Sequence, residues 1–291
     1  MVTTCVIVNY NDSETTSLLV NLICDYEHLD YIVVVDNNST DNSYEKLNKL
    51  TTKKTHILKA EYNGGYGYGN NFGIEYSYYT LKADYVLIAN PDVIFSNECV
   101  KGLRSVLHTH QEIAISTAIP KKPNGENQSI IAWKIPTTSQ EILSFSFILN
   151  KFLGSGKFYH KSHFLNKDFA FVEVVQGSLL MINANVFIKY GMYDEDFFLY
   201  GEEQVLATKM RDANYKSVIL LNQSYIHNHS QTISKSFNSF YKRKKLSLKS
   251  KLLYLKKYHH KSPFFIFNTN VFLYIIILVE SIVVYFFYEY Q

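Results

Sequence analysis

The chain has 291 residues, of which 47% are hydrophobic and 19% charged, so it can build a core and is no disordered chain. Twelve glycines and five prolines exclude collagen-like and low-complexity architectures. The formal charge of +3 conceals a division: residues 235–261 hold ten Lys or Arg and no acid, leaving 19 basic against 26 acidic residues elsewhere.

In chain order, residues 4–9 read as a buried strand around Cys5-Val6-Ile7-Val8, and residues 13–25 carry Leu18, Leu19, Leu22 and Ile23 at helical spacing. The β-branched run Tyr31-Ile32-Val33-Val34-Val35 stops at a polar turn, Asp36-Asn37-Asn38-Ser39-Thr40-Asp41. A short helix (about 41–50), a strand near 55–59, a Gly-rich loop and a helix to about residue 80 follow, then a strand at Tyr85-Val86-Leu87-Ile88-Ala89. Strands alternating with helices predict a parallel α/β sheet covered on both faces, with ligands at the carboxyl ends of its strands. Residues 120–168 are irregular and read as an insertion. Strands at 171–176 and on to Ile182, a helix around 202–213 and two strands near 217–227 complete a body of residues 1–234. Residues 235–291 form a second part, basic and then hydrophobic. Cys5, Cys24 and Cys99 have neither paired metal-ligand spacing nor a disulfide framework and read as free thiols. The amino terminus lacks the basic start of a secretory signal, which points to the cytosol.

Four clusters fall at strand ends. Asn9-Tyr10-Asn11 and Asp36-Asn37 could bind a base or ribose, and both are also ordinary polar turns. Asn63 precedes a run holding five of the twelve glycines within residues 64–73, among them Gly65 and Gly69, followed by Asn70 and Asn71. Such glycines let backbone amides approach a phosphate or sugar, yet the spacing is neither a dinucleotide fingerprint nor a P-loop. Asn90-Pro91-Asp92 offers one carboxylate to a hard divalent cation, or is a turn. Asp194-Glu195-Asp196-Phe197-Phe198-Leu199-Tyr200-Gly201-Glu202-Glu203 leads acids and aromatics into a helix, where desolvation would raise carboxylate basicity. His227-Asn228-His229 closes a strand with two imidazoles, either of which could ligate a metal.

In order and spacing these clusters, together with Gln176-Gly177-Ser178, resemble the family 2 glycosyltransferases with a GT-A fold, particularly the rhamnosyltransferase-like enzymes of bacterial surface polysaccharides. The resemblance covers residues 3–230. It implies a Rossmann-like mixed sheet flanked by helices. It also implies that Tyr10, Asp36, Asn37, Asn63, Gly65, Gly69, Asn71 and Asn90 line a nucleotide-sugar, that Asp92 and His227 hold Mn²⁺ or Mg²⁺, and that Glu203, paired with Glu202, is the base. Two departures stand out. Asn90 opens the DxD-type motif, and Glu202-Glu203 replaces the usual Glu-Asp.

The implied activity is inverting transfer from a UDP- or dTDP-sugar to a glycan or lipid-linked oligosaccharide acceptor. A nucleotidyltransferase would carry its glycine-rich loop straight after the first strand, which here ends in Asn9-Tyr10-Asn11. A non-catalytic, membrane-tethered assembly partner is the other alternative. Residues 271–288 are apolar apart from Glu280-Ser281 and nearly long enough to cross a bilayer. With Lys242-Arg243-Lys244-Lys245 and Lys256-Lys257 set against anionic lipid, the expectation is attachment to the cytoplasmic face of the bacterial plasma membrane. Packing on the body or in a homodimer is the alternative for this segment. Nucleic acid is not an expected partner, because the basic run adjoins an apolar segment and no recognition fold.

Overall fold

The computed structural model describes residues 1–153, 156–228 and 240–288. Strands β1 (Thr3–Asn9), β2 (Tyr31–Asp36), β3 (Thr55–Lys59) and β4 (Tyr85–Ala89) pair in parallel in the spatial order β3-β2-β1-β4. The near-continuous apolar sequences of β1, β2 and β4 reflect burial on both faces, while β3, at the sheet edge, is only part-buried. Cys5, Ile7, Ile32, Val34 and Leu87 pack with α1 (Ser13–Ile23), α2 (Ser43–Asn48) and α4 (Asn97–Thr109). Val6, Val33, Val35, Val86 and Ile88 pack with α3 (Gly65–Glu75), α7 (Ala184–Val186) and α8 (Glu202–Asp212). Cys5 and Cys99 are buried and all three cysteines are free, as expected.

Beyond β4 the sheet is mixed, which the strand-helix alternation did not foretell. Strand β10 (Leu179–Asn183) runs antiparallel between β4 and β6 (Ile113–Lys121). One long strand, β11 (Lys216–His227), stands where two were expected and lies parallel to β6. Its register slips between Leu220 and Ser224, so its first half pairs with β8 (Phe169–Val172) and its end with β5 (Val93–Ile94). Helix α4 and strand β6 are absent from the sequence expectation. Ser96 caps α4 by accepting from the Cys99 amide at 3.1 Å, and Cys99, Val100, Leu103 and Leu107 form its buried stripe. The irregular insertion holds β7 (Ala132–Trp133), paired with β9 (Val174–Val175), and helices α5 (Thr138–Leu143) and α6 (Phe147–Leu153).

The glycine run is helical from Gly65 onward, a correction to the expected loop. A Cβ on Gly69 would lie 2.7 Å from Val8 Cγ1, and one on Gly73 2.5 Å from Val6 Cγ1. The glycines therefore let α3 lie directly on β1.

The boundary expected at residue 234 lies outside the described residues, as does His229. The basic helix Phe240–Lys257 and the apolar helix Pro263–Tyr288 form a hairpin. Of the cations expected against anionic lipid, Lys244 and Lys257 meet acids within the structure, as does Lys251. Lys251 pairs with Glu141 at 2.5 Å, and Lys257 with Asp194 and Asp196 at 2.7 Å each. Lys244 pairs at 3.1 Å with Glu280, which is fully enclosed and also accepts from Ser146 at 2.7 Å. The costly acid in the apolar segment is thus a paired one.

Gly73→Val should force α3 off β1 and destabilise the fold by about 1–3 kcal/mol, the usual consequence of overpacking. The reading is a lower denaturant midpoint at unchanged slope. An unchanged midpoint would mean that the helix rides over the added methyls freely.

Candidate active site

The carboxyl ends of β2, β1 and β4 lie side by side, and the antiparallel β10 enters at the same edge. At the first two ends, Asp36 is fully buried and both its oxygens are engaged. Oδ1 accepts from Asn9 Nδ2 at 2.9 Å and Ser39 Oγ at 2.6 Å, and Oδ2 from the Ser39 amide at 3.0 Å. The outer rim is Tyr10, half-buried, and Asn11, whose side chain exchanges hydrogen bonds with Thr40 at 2.8 and 3.0 Å. Asn11 and Asn38 have φ of 54° and 55°, the left-handed region that asparagine tolerates best after glycine. Asn37 donates to Asn63 Oδ1 at 3.0 Å and to the Gly65 carbonyl at 2.9 Å, joining the β2 end to the start of α3.

Gly65, at φ 90°, is held against the acidic loop: a Cβ there would lie 2.1 Å from the Phe198 carbonyl. The Tyr66 amide donates to that same carbonyl at 3.0 Å. Asn71 faces the loop and not the rim, bonding the Tyr193 amide (2.8 Å), the Tyr193 carbonyl (3.0 Å) and Glu195 (2.8 Å). Gly69 is covered by Val8 and Asn37. The structure thus assigns Asn71 and Gly69 to holding α3 in place, apart from the rim that was expected to include them.

At the β4 end, the slipped register of β11 sets His227 opposite Val93, one residue from Asp92. His227 Nε2 lies 3.5 Å from Asp92 Oδ1, with both side chains at most a tenth exposed. The Asn90 amide donates to the Ser178 carbonyl at 2.8 Å, and Ser178 Oγ meets the Tyr225 hydroxyl at 2.8 Å. Gly177, the preceding residue, lies against Glu203, whose Oε1 would be 3.2 Å from a Cβ built there, and its carbonyl accepts from Tyr66 at 2.6 Å. Two consecutive positions at the mouth of β10, Gly177 and Ser178, thereby lie between Glu203 on one side and Asn90 and Tyr225 on the other.

The acidic pair opens α8 behind Tyr200 and Gly201, at φ 71° and 98°. A left-handed tyrosine is strained backbone, of a kind that persists where the surroundings over-determine it. A helix amino terminus ordinarily favours an ionised acid. Here desolvation wins: Glu202 is 6% exposed and its pKa is pushed up to about 8 by burial and then by Glu203. Burial likewise raises Glu203, whose side chain is half-buried. The aromatic walls beside it are Tyr66 and Tyr193, edge-to-face at 5.6 Å, while Phe197 of the expected wall packs in the core. Lys157, from the insertion, acts electrostatically on Glu203. No local signal marked it, because its neighbourhood is made by the fold alone.

Among the described residues, no group of three or more His, Cys, Asp or Glu is arranged for a metal ion. Asp92 and His227 nevertheless suit a cation that keeps open positions for phosphate oxygens, as Mg²⁺ and Mn²⁺ commonly do.

A mixed sheet with this rim defines a GT-A-type, Rossmann-like protein. Residues 4–174 match the profile of glycosyl transferase family 2, and the chain belongs to that family. It is 31% identical over 209 residues to the low-salt glycan biosynthesis hexosyltransferase Agl10 of Haloferax volcanii, covering 72% of this chain and 61% of that protein. It therefore spans about 61% of that relative's length. It is 23% identical to the rhamnosyltransferase WbbL of Escherichia coli over 65% of this chain and 75% of that one. The solved mannosyltransferase PcManGT of Pyrobaculum calidifontis, in complex with GDP-Man and Mn²⁺, shares the fold at a TM-score of 0.59. It is 11% identical, over 93% of this chain and 69% of that one.

The raised Glu202 pKa makes stability pH-dependent. The unfolded chain releases this proton near 4.5 and the folded one near 8, so the folded state binds more protons in between and loses stability as pH rises through that window. Glu202→Gln should lose less stability than the parent between pH 5 and pH 8 in thermal unfolding. Parallel losses would remove Glu202 as the source.

Proposed function

We propose that the protein is an inverting glycosyltransferase that moves a hexosyl or rhamnosyl group from a UDP- or dTDP-sugar to a lipid-linked glycan acceptor. The observation that carries this reading is the convergence of the Asp92–His227 pair and the half-buried Glu203 on the mouth of β10. Family membership and the similarity to a hexosyltransferase and a rhamnosyltransferase support the class of donor.

In this reading the nucleoside lies on the rim of Tyr10, Asn11 and Thr40, which the enclosed Asp36 organises through Asn9 and Ser39. Asn37, Asn63 and Gly65 border the sugar side, and Asn90 adjoins the diphosphate. Asp92 and His227 hold a divalent cation, which when bound neutralises charge on the leaving diphosphate. Glu203 takes the proton from the acceptor hydroxyl as that oxygen attacks the anomeric carbon opposite the nucleoside diphosphate, inverting the centre. Its raised basicity suits the task, since a carboxylate of ordinary pKa is a poor proton acceptor at neutral pH. Glu202, more enclosed, is itself held protonated toward neutral pH by burial and by the charge of Glu203. Residues 1–234 constitute the catalytic part, and residues 235–291 attach it to the cytosolic face of the plasma membrane. The apolar stretch Pro263–Val283 is long and apolar enough to cross a bilayer, which supports the attachment.

Turnover with a panel of UDP- and dTDP-sugars, with and without Mn²⁺ or Mg²⁺, tests the class. Glu203→Gln should lower turnover about 10²–10⁴-fold with donor binding largely kept. Full activity in that variant would pass the base role to Glu202. Asp92→Asn should weaken donor binding in the presence of the metal, and unchanged metal dependence by calorimetry would remove Asp92 from the site.

A further inference from the structure

The apolar carboxy-terminal helix has two unlike sides. Thr269, Leu273, Ile277 and Glu280 are buried, Leu273 and Ile277 against Leu248 and Phe145. On the opposite side Phe264, Phe267, Val271, Ile275, Leu278 and Ile282 form a stripe, each 44% to 78% exposed. The spacing of three and four residues keeps all six on one face. Between the two sides, Asn270 and Tyr274 share a groove of about 630 Å³ with the basic helix, which contributes Lys242, Lys245, Lys249, Leu246 and Leu252. A cationic wall with an apolar floor, opening beside an apolar stripe, complements an anionic headgroup with its acyl chains alongside.

Length alone would allow this helix to span, since its 21 most apolar residues reach about 32 Å at 1.5 Å each. Its partner forbids that. The basic helix lies along it and is fastened to the body by Ser250 to the Leu199 carbonyl (2.7 Å), Tyr254 to Thr208 (3.0 Å) and Lys251 to Glu141. A spanning helix would have to drag these lysines into hydrocarbon or abandon the Lys244–Glu280 pair, leaving Glu280 alone in lipid.

We infer that the hairpin rests in the plane of one leaflet, with the exposed stripe in the acyl layer and anionic phospholipid headgroups in the groove at Lys245 and Lys249. This rests on the membrane attachment proposed above and specifies its mode and lipid.

The test is flotation of the full-length protein, exchanged from detergent, with vesicles of phosphatidylcholine alone or with about 30% phosphatidylglycerol, an amount that gives a negative surface. The parent should prefer the anionic vesicles, less so at high salt. Lys245→Ala/Lys249→Ala should weaken anionic binding about 5-fold per lysine, while Lys245→Arg/Lys249→Arg should retain it. For the orientation, an environment-sensitive nitrobenzoxadiazole dye is attached to the thiol of Phe264→Cys or Ile282→Cys in a Cys24→Ser background. Dithionite added outside the vesicles should quench both positions. Protection of either one means a span and overturns the in-plane reading. Anionic preference unchanged in the alanine pair overturns the headgroup groove. Failure of the parent to bind either vesicle would instead refute membrane attachment itself.

Discussion

The antiparallel insertion of β10 between β4 and β6 is the constraint on which the rim depends. A parallel strand in that place would deliver its amino end to the far edge of the sheet. Because β10 runs the other way, Gly177 and Ser178 arrive at the carboxyl edge, where one lies against Glu203 and the other accepts from Asn90. The register slip in β11 works with it by carrying His227 to Asp92. Two irregularities of pairing therefore join residues more than a hundred positions apart into one site.

Around this edge, polarity is divided between groups that hold and groups left open. Asp36 and Asn71 are enclosed and saturated by neighbours, and Asn37 is enclosed and tied down through its Nδ2, which rigidifies the turns that carry them. Tyr10 and Glu203 keep partial access to solvent. The acidic pair shows which electrostatic effect dominates. A helix amino terminus offers roughly half a unit of positive charge, yet burial outweighs it at both carboxyls, joined at Glu202 by the charge of Glu203, and both move toward higher pKa.

The hairpin is part of the same economy of charge. Its basic helix has no acids of its own and finds them on α5, on the acidic loop and on the apolar helix. Lys257, together with Tyr258, grips Asp194 on the very loop whose Phe198 carbonyl receives Tyr66. Contacts of the hairpin thus reach the loop that leads into Glu202 and Glu203.

By itself the sequence determined the parallel strands β1 to β4, because a continuous β-branched run buried on both faces leaves little local ambiguity. It also marked nearly every polar residue at the strand ends, since Asn, Asp and Gly interrupt such runs conspicuously. It did not determine that the glycines of α3 serve packing, because whether a missing Cβ admits a ligand or Val8 depends on which strand lies beneath. Nor did it determine the reversed β10, for which an apolar run reads alike in either direction. The lysines between 242 and 257 look equivalent as a charge run. Only the tertiary structure separates Lys244, Lys251 and Lys257, which meet acids from distant segments, from Lys245 and Lys249, which face an open groove. A charge's role is set by what the fold brings to it, and that information is nonlocal.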